Sequence, residues 1–187
     1  MARPPRARRR VLDAFEELIL GDGERAATLD AIAAAAGVSK GGLLYHFGTK
    51  EDLVTGLVAR MEDHLAADID AMLAAPEGPV SYYLRTSVML DDSLAHSLTA
   101  IARLAQSGQV AAVDALHEAR RRWAETLRPH VRDETALELV MLVSDGLYFN
   151  NALSDAATIT LNPTGEALAA VIELVRETTA PPAPARP

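Results

Sequence analysis

The chain has 187 residues, a formal net charge of −8, 49% hydrophobic residues, 4% aromatic ones and no cysteine. That length suits one domain, or a small head on a larger body, with enough apolar residues for a core of Ala, Leu and Val. The missing cysteines exclude a disulfide framework and a thiolate zinc site. Runs of alternating β-branched and aromatic residues are nearly absent, which argues against a sheet protein. The acidic balance is uneven: residues 1–60 hold 9 Lys and Arg against 8 Asp and Glu, whereas residues 61–187 hold 9 against 18. A mildly basic head on an acidic body meets nucleic acid through the head alone. The basic start, Met1 to Arg10, lacks the apolar stretch of a signal peptide because Asp13, Glu16 and Glu17 interrupt it. The apolar run from Leu139 to Val143 is too short to span a bilayer. The expectation is a soluble, cytoplasmic protein with no membrane partner.

In chain order, Val11, Phe15, Leu18 and Ile19 recur at helical spacing, and Gly21 and Gly23 stop that helix. The arginines before it, Arg3 to Arg10, read either as a flexible arm on DNA or as a solvated leader. Thr28 stands at an N-cap position, with Asp30 in the first turn and Leu29, Ile32, Ala33 and Ala36 forming a short apolar face. Gly37 suits a left-handed turn, and Ser39 caps a third helix from Lys40 to about Phe47. Thr49-Lys50-Glu51-Asp52 looks like a capping box with Asp for Glu. It opens a long helix striped with Leu53, Leu57, Met61, Leu65, Ile69 and Met72. Further helices are expected over about 81–92, 94–107, 110–127, 134–153 and 164–178, with a loop at 158–163. Pro181-Pro182-Ala183-Pro184 begins an extended tail.

Two short helices joined by a glycine turn form a helix-turn-helix, in which Val38, Leu43 and Phe47 lock the second helix down and its other face is free for a major groove. The stretch from Thr28 to Phe47, containing Ala-Gly-Val-Ser-Lys-Gly-Gly, and Gly48 to Leu53 after it, resembles the tetracycline-repressor (TetR) family of bacterial regulators. The resemblance is close over about residues 8–60 and elsewhere is one of length and helix pattern. It implies an all-α fold of about nine helices: a DNA-binding three-helix head at 1–49, a ligand-binding and dimerising helical body at 50–180, and a disordered Pro-rich tail at 181–187. The implied function is a repressor that binds a palindromic operator in double-stranded DNA as a homodimer and is released by a small-molecule effector.

Positions matching Thr28, Tyr45 and Lys50 usually hold the DNA backbone in that family. Ser39, like Thr28, opens a helix and can cap it and meet a phosphate at once. Base contacts are expected from Lys40 to guanine, and from Leu44 and Gly42 to thymine methyls. His46 donates to DNA or packs beside Phe47. The family often carries Thr at the position of Gly42 and Tyr at that of Leu44. The Gly41-Gly42 pair costs about 1 kcal/mol per residue relative to Ala, which shifts weight toward phosphate contacts and DNA shape.

In the body, residues 137–149 are apolar nearly all round their helix and so require burial on two sides. With the last helix, the resemblance makes them a dimer interface, for which we expect Leu137, Met141, Leu168, Val171, Ile172 and Val175. The middle helices mix bulk and polarity as a ligand pocket does. Tyr82, Thr86, Met89, Arg103, Trp123, Asp145 and Tyr148 are its expected lining, with an ionised Asp145 favouring a cationic aromatic ligand. The histidines form no paired metal motif, Asp92 with His96 and Asp114 with His117 being too few ligands. Phosphate loops and nucleophile elbows are missing, so no cofactor, metal or enzymatic activity is expected. The competing reading is a helical small-molecule-binding or interaction protein without sequence-specific DNA binding.

Overall fold

A computed structural model describes residues 4–89, 93–153 and 161–182. Arg3, Asp92, residues 158–160 and most of the Pro-rich tail lie outside them. The described residues form nine α-helices, one 3-10 turn at Arg128–His130 and no strand, as the all-α expectation requires. The helices are α1 (Pro4–Gly21), α2 (Leu29–Ala35), α3 (Lys40–His46), α4 (Lys50–Ala74), α5 (Pro79–Thr86), α6 (Ser93–Gln106), α7 (Val110–Leu127), α8 (Glu134–Leu153) and α9 (Gly165–Thr179).

Two elements differ from their sequence expectation. The helix α1 begins at Pro4, so the arginines from Arg6 onward are helical rather than part of a flexible arm, and Arg6, Arg9 and Arg10 are exposed. Proline is well suited to a first helical turn, where its missing N–H costs nothing. The helix α5 ends at Thr86 instead of running to Asp92. There the Thr86 hydroxyl donates to the Tyr82 and Tyr83 carbonyls and the Ser87 hydroxyl to the Tyr83 carbonyl. Such back-bonding competes with continuation of the helix.

Packing divides the chain into two units, residues 1–65 with 93–119, and residues 66–92 with 120–187. In the first, α2, α3 and α6 pack on α1. Phe15, Ile19, Ile32, Leu43, Leu57 and Ile101 are among its fully buried side chains. A polar network crosses this core. The Glu16 carboxylate accepts from Arg60 Nη1 at 2.8 Å and from Ser97 Oγ at 2.9 Å, and His64 Nδ1 lies 3.2 Å from the same Ser97 hydroxyl. At the end of α1, whose last carbonyls have no intrahelical partner, Arg103 of α6 donates to Ile19 O at 2.8 Å and to Leu20 O.

In the second unit α5, α8 and α9 pack together around Met72, Leu84, Leu127, Leu137, Val140 and Met141. The helix α8 turns residues 137, 140, 141, 144 and 147 inward, and Ser144 Oγ meets Ser87 Oγ at 2.6 Å.

Among the glycines of the first unit, Gly56 of α4 has the tightest surroundings. A Cβ there would stand 2.9 Å from Phe47 Cε1 and 3.0 Å from Leu12 Cδ2. Gly56→Ala therefore overpacks a buried contact and should cost about 1–3 kcal/mol, read as a lower midpoint in urea unfolding. An unchanged midpoint would refute this packing.

Candidate nucleic-acid interface

The helix-turn-helix is built by local rules. Thr28 Oγ1 accepts from Ala31 N at 3.2 Å and Ser39 Oγ from Gly42 N at 3.0 Å, so each hydroxyl caps its helix. Gly37 takes φ +63°, while Gly37 N donates to Ala34 O and Val38 N to Ala33 O, which closes α2. Thr49 N donates to Asp52 Oδ2 at 3.0 Å and Asp52 N to Thr49 Oγ1 at 3.1 Å, the reciprocal box expected at the start of α4.

The helix α3 is fixed from one side and open on the other. Leu43 and Phe47 are buried, and the Arg8 guanidinium sits 5.1 Å from the Phe47 ring centroid. Lys40, Leu44 and Tyr45 are exposed, Tyr45 at 82%. His46 is half-buried and meets the Tyr45 ring edge-on at 5.1 Å. Gly42 is half-buried beside its own cap, where a Cβ would come within 3.2 Å of Ser39 Oγ. Thr28, Ser39, Lys40, Leu44 and Tyr45 are thus solvent-accessible together on this head.

Both lysines of the expected contact set are held by carboxylates. Lys40 Nζ lies 3.0 Å from each Asp30 oxygen. Lys50 is half-buried, its Nζ 2.7 Å from Glu24 Oε1 and 2.9 Å from Glu24 O. The role of Glu24 went unread, since nothing in the spacing of residues 24 and 50 announces a pair. Asp30 was legible as a first-turn acid, and its distance of ten residues from Lys40 hid the ion pair.

The expected pocket residues are only partly brought together. In the second unit Tyr82 Oη donates to Asp68 Oδ1 at 3.2 Å and Trp123 Nε1 to Asp68 Oδ2 at 2.9 Å. The Trp123 ring lies tilted on Tyr83, centroids 5.7 Å apart. Asp68 itself was missed, although the stripe of α4 passes through 61, 65, 68 and 72 and a carboxylate in such a stripe is a signal. Asp145 is exposed and ion-paired with Arg120, so its charge is answered within the chain. Tyr148 is half-buried. Thr86 uses its hydroxyl on its own helix, and Met89 is exposed with its sulfur 3.8 Å from Arg85 Nη1. Arg103 belongs to the first unit, where it caps α1 because those carbonyls need a donor.

The expected dimer residues need a similar correction. Leu137, Met141 and Val175 are buried in the chain's own core, and Leu168, Val171 and Ile172 are half-buried. The outward apolar residues are their neighbours: Leu142 at 57%, Phe149 at 62% and Leu174 at 65% exposure, with Leu139 less so. Helical spacing explains the exchange, since each outward residue lies one or two positions from an inward one. Among the described residues no cluster of three or more His, Asp or Glu side chains is placed to hold a metal, and no helix is long and apolar enough to cross a membrane.

Capped α2 and α3, the glycine turn and the open face of α3 define a helix-turn-helix protein. Residues 11–57 match the family of bacterial regulatory proteins called the tetR family. An HTH-type transcriptional regulator of Mycobacterium tuberculosis (strain ATCC 25618 / H37Rv), AlkX, is 37% identical over 68 residues, which are 36% of this chain and 32% of that protein. The chain thus matches about a third of that relative's length. A crystal structure of a candidate transcriptional regulator from Streptomyces coelicolor A3(2) superimposes with a TM-score of 0.69 at 26% identity, covering 94% of this chain and 99% of the other. The multidrug binding protein EbrR, crystallised with imidazole, shares the fold with a TM-score of 0.64 at 23% identity, over 94% of this chain and 96% of its own. Through its N-terminal helices the chain is similar to the tetR family.

Burial pushes the Tyr83 hydroxyl up to about 12, with Asp145 adding to the shift and the Ser144 hydroxyl opposing it. The folded protein therefore resists deprotonation that the unfolded chain accepts near pH 10. Stability should be intact below pH 10 and fall by roughly 2–3 kcal/mol as pH rises from 10 to 12. Urea unfolding across that range checks it, and Tyr83→Phe should flatten this part of the slope.

Proposed function

We propose that the protein is a transcriptional regulator, most simply a repressor, that binds a palindromic operator as a homodimer in the cytoplasm and leaves it when a small molecule binds the body. The observation that carries this reading is the exposed face of α3, with Tyr45 and Leu44 held outward by the burial of Leu43 and Phe47. In this reading residues 1–49 are the DNA-binding head and residues 50–180 the sensing and dimerising body. Thr28, Ser39 and Tyr45 meet the backbone, Lys40, Gly42 and Leu44 meet bases, and His46 supports Tyr45. Lys50 joins the backbone contacts after exchanging Glu24 for a phosphate. The effector site centres on Tyr82, Trp123 and Asp68, a polar group among aromatic walls. The capture of imidazole by EbrR, on the same fold, supports small-molecule binding at the body.

An unbiased duplex selection should return a palindrome. On that duplex Tyr45→Phe should weaken binding about five- to tenfold, and equally on mismatched duplexes, whereas Lys40→Ala should relax preference at one base pair. Selection without any preferred sequence would remove the regulator reading in favour of a helical interaction protein.

The outward sides of α8 and α9 expose Leu142, Phe149 and Leu174, and a second copy supplies a self-complementary partner for them. Sedimentation should show a dimer at micromolar concentration, and Leu142→Arg should raise its dissociation constant at least about tenfold. A monomeric native protein would refute this interface.

A further inference from the structure

We propose that the body carries a binding site for a tetrahedral oxyanion, such as phosphate, where the N-terminus of α5 meets the Ser81 hydroxyl, His130 and Arg176. This site is independent of the operator and effector readings above. Its first element is a helix start without a cap of its own. Gly78, the N-cap of α5, takes φ 86° and ψ 160°, a conformation that only glycine adopts readily, so no capping side chain can stand there. Pro79 at the first helical position has no N–H. The Tyr82 N–H is bonded to Gly78 O at 3.0 Å, whereas the N–H groups of Val80 and Ser81 have no partner among the described residues. Unfilled first-turn donors and the positive end of the helix dipole favour an anion.

The second element is a side chain of the same first turn. Ser81 is only 8% exposed, and its hydroxyl makes no hydrogen bond among the described residues. A hydroxyl without a protein partner is available to a bound acceptor. Ser81 lines a cleft of about 210 Å³, large enough for a phosphate-sized ion, together with Gly78, Val80, His130 and Arg176. Arg176 engages Glu173 through Nε and Nη2, which leaves Nη1 for a ligand. Glu77 also borders the cleft, but its carboxylate is turned onto Arg85, 3.1 Å from Nε and 2.7 Å from Nη2, so its charge is answered. Backbone N–H groups, a hydroxyl, an imidazole and a guanidinium in one recess form the donor set of an oxyanion site.

The test is calorimetric titration of the full chain with inorganic phosphate, at ionic strength held constant with chloride. Melting temperature alone does not serve, because phosphate and sulfate also stabilise proteins by exclusion from their surfaces. The expected result is a saturable isotherm with one site per chain and a dissociation constant on the order of 1 mM. Ser81→Ala and Arg176→Gln should each weaken it at least about fivefold. Arg176 is surface-exposed, so its variant keeps the test alive should Ser81→Ala fail to fold. Lys50→Ala, in the head, should leave the isotherm unchanged, which separates this site from backbone-contacting groups. Sulfate should compete and acetate should not. Absence of saturable binding up to about 50 mM phosphate, an isotherm unchanged in either cleft variant, weakening by Lys50→Ala, or equal competition by acetate each overturns the proposal.

Discussion

The exposed face of α3 depends on one close contact, the seating of the Phe47 ring against the bare backbone of Gly56, which the Leu12 side chain also approaches. A helix as short as α3 is not stable through its own hydrogen bonds, and the two glycines near its start weaken it further. Its direction is set from outside, by Leu43 and Phe47 buried on one side and by the caps Ser39 and Thr49 at its two borders. The exposure of Leu44 and Tyr45 follows from that anchoring, because helical geometry turns neighbours of a buried residue outward. Arg8 adds a lid over the same ring, which ties the start of α1 to the end of α3.

The first unit is held together by a different kind of bond. Glu16 joins α1 to α4 through Arg60 and to α6 through Ser97, and Arg103 closes the end of α1 from α6. Apolar burial is non-directional and tolerates sliding, whereas these hydrogen bonds fix register among three helices. The second unit relies instead on the inward stripe of α8, with Asp68 as the polar centre of its aromatic group.

Local signals in the sequence were readable where one residue decides the conformation. The caps Thr28 and Ser39, the left-handed Gly37 and the box of Thr49 with Asp52 appear in the structure as their chemistry requires. The apolar character of α8 all round its circumference was also legible. Which residues take which side was not: Leu137 and Met141 turn inward and Leu142 and Phe149 outward. A sequence fixes the angle between residues and leaves the absolute rotation of the helix to packing. Long-range pairs were hidden for the same reason. Arg103 looked like a pocket residue because its carbonyl partners are more than eighty positions away, and Lys50 gave no sign of Glu24.

The two tethered lysines bear on how such a head would move among competing sites. Association with arbitrary duplex is driven mainly by cations displacing the counterions around phosphates. Lys40 and Lys50 already have carboxylate neighbours, and a passing phosphate must outcompete those neighbours before either amine is gained. Only a duplex that also satisfies the hydroxyl groups and apolar side chains of the same surface offers enough to make the exchange worthwhile. If the head binds DNA as proposed, the acidic partners set a threshold against loitering on irrelevant sequence and shorten each unproductive visit during a genomic search.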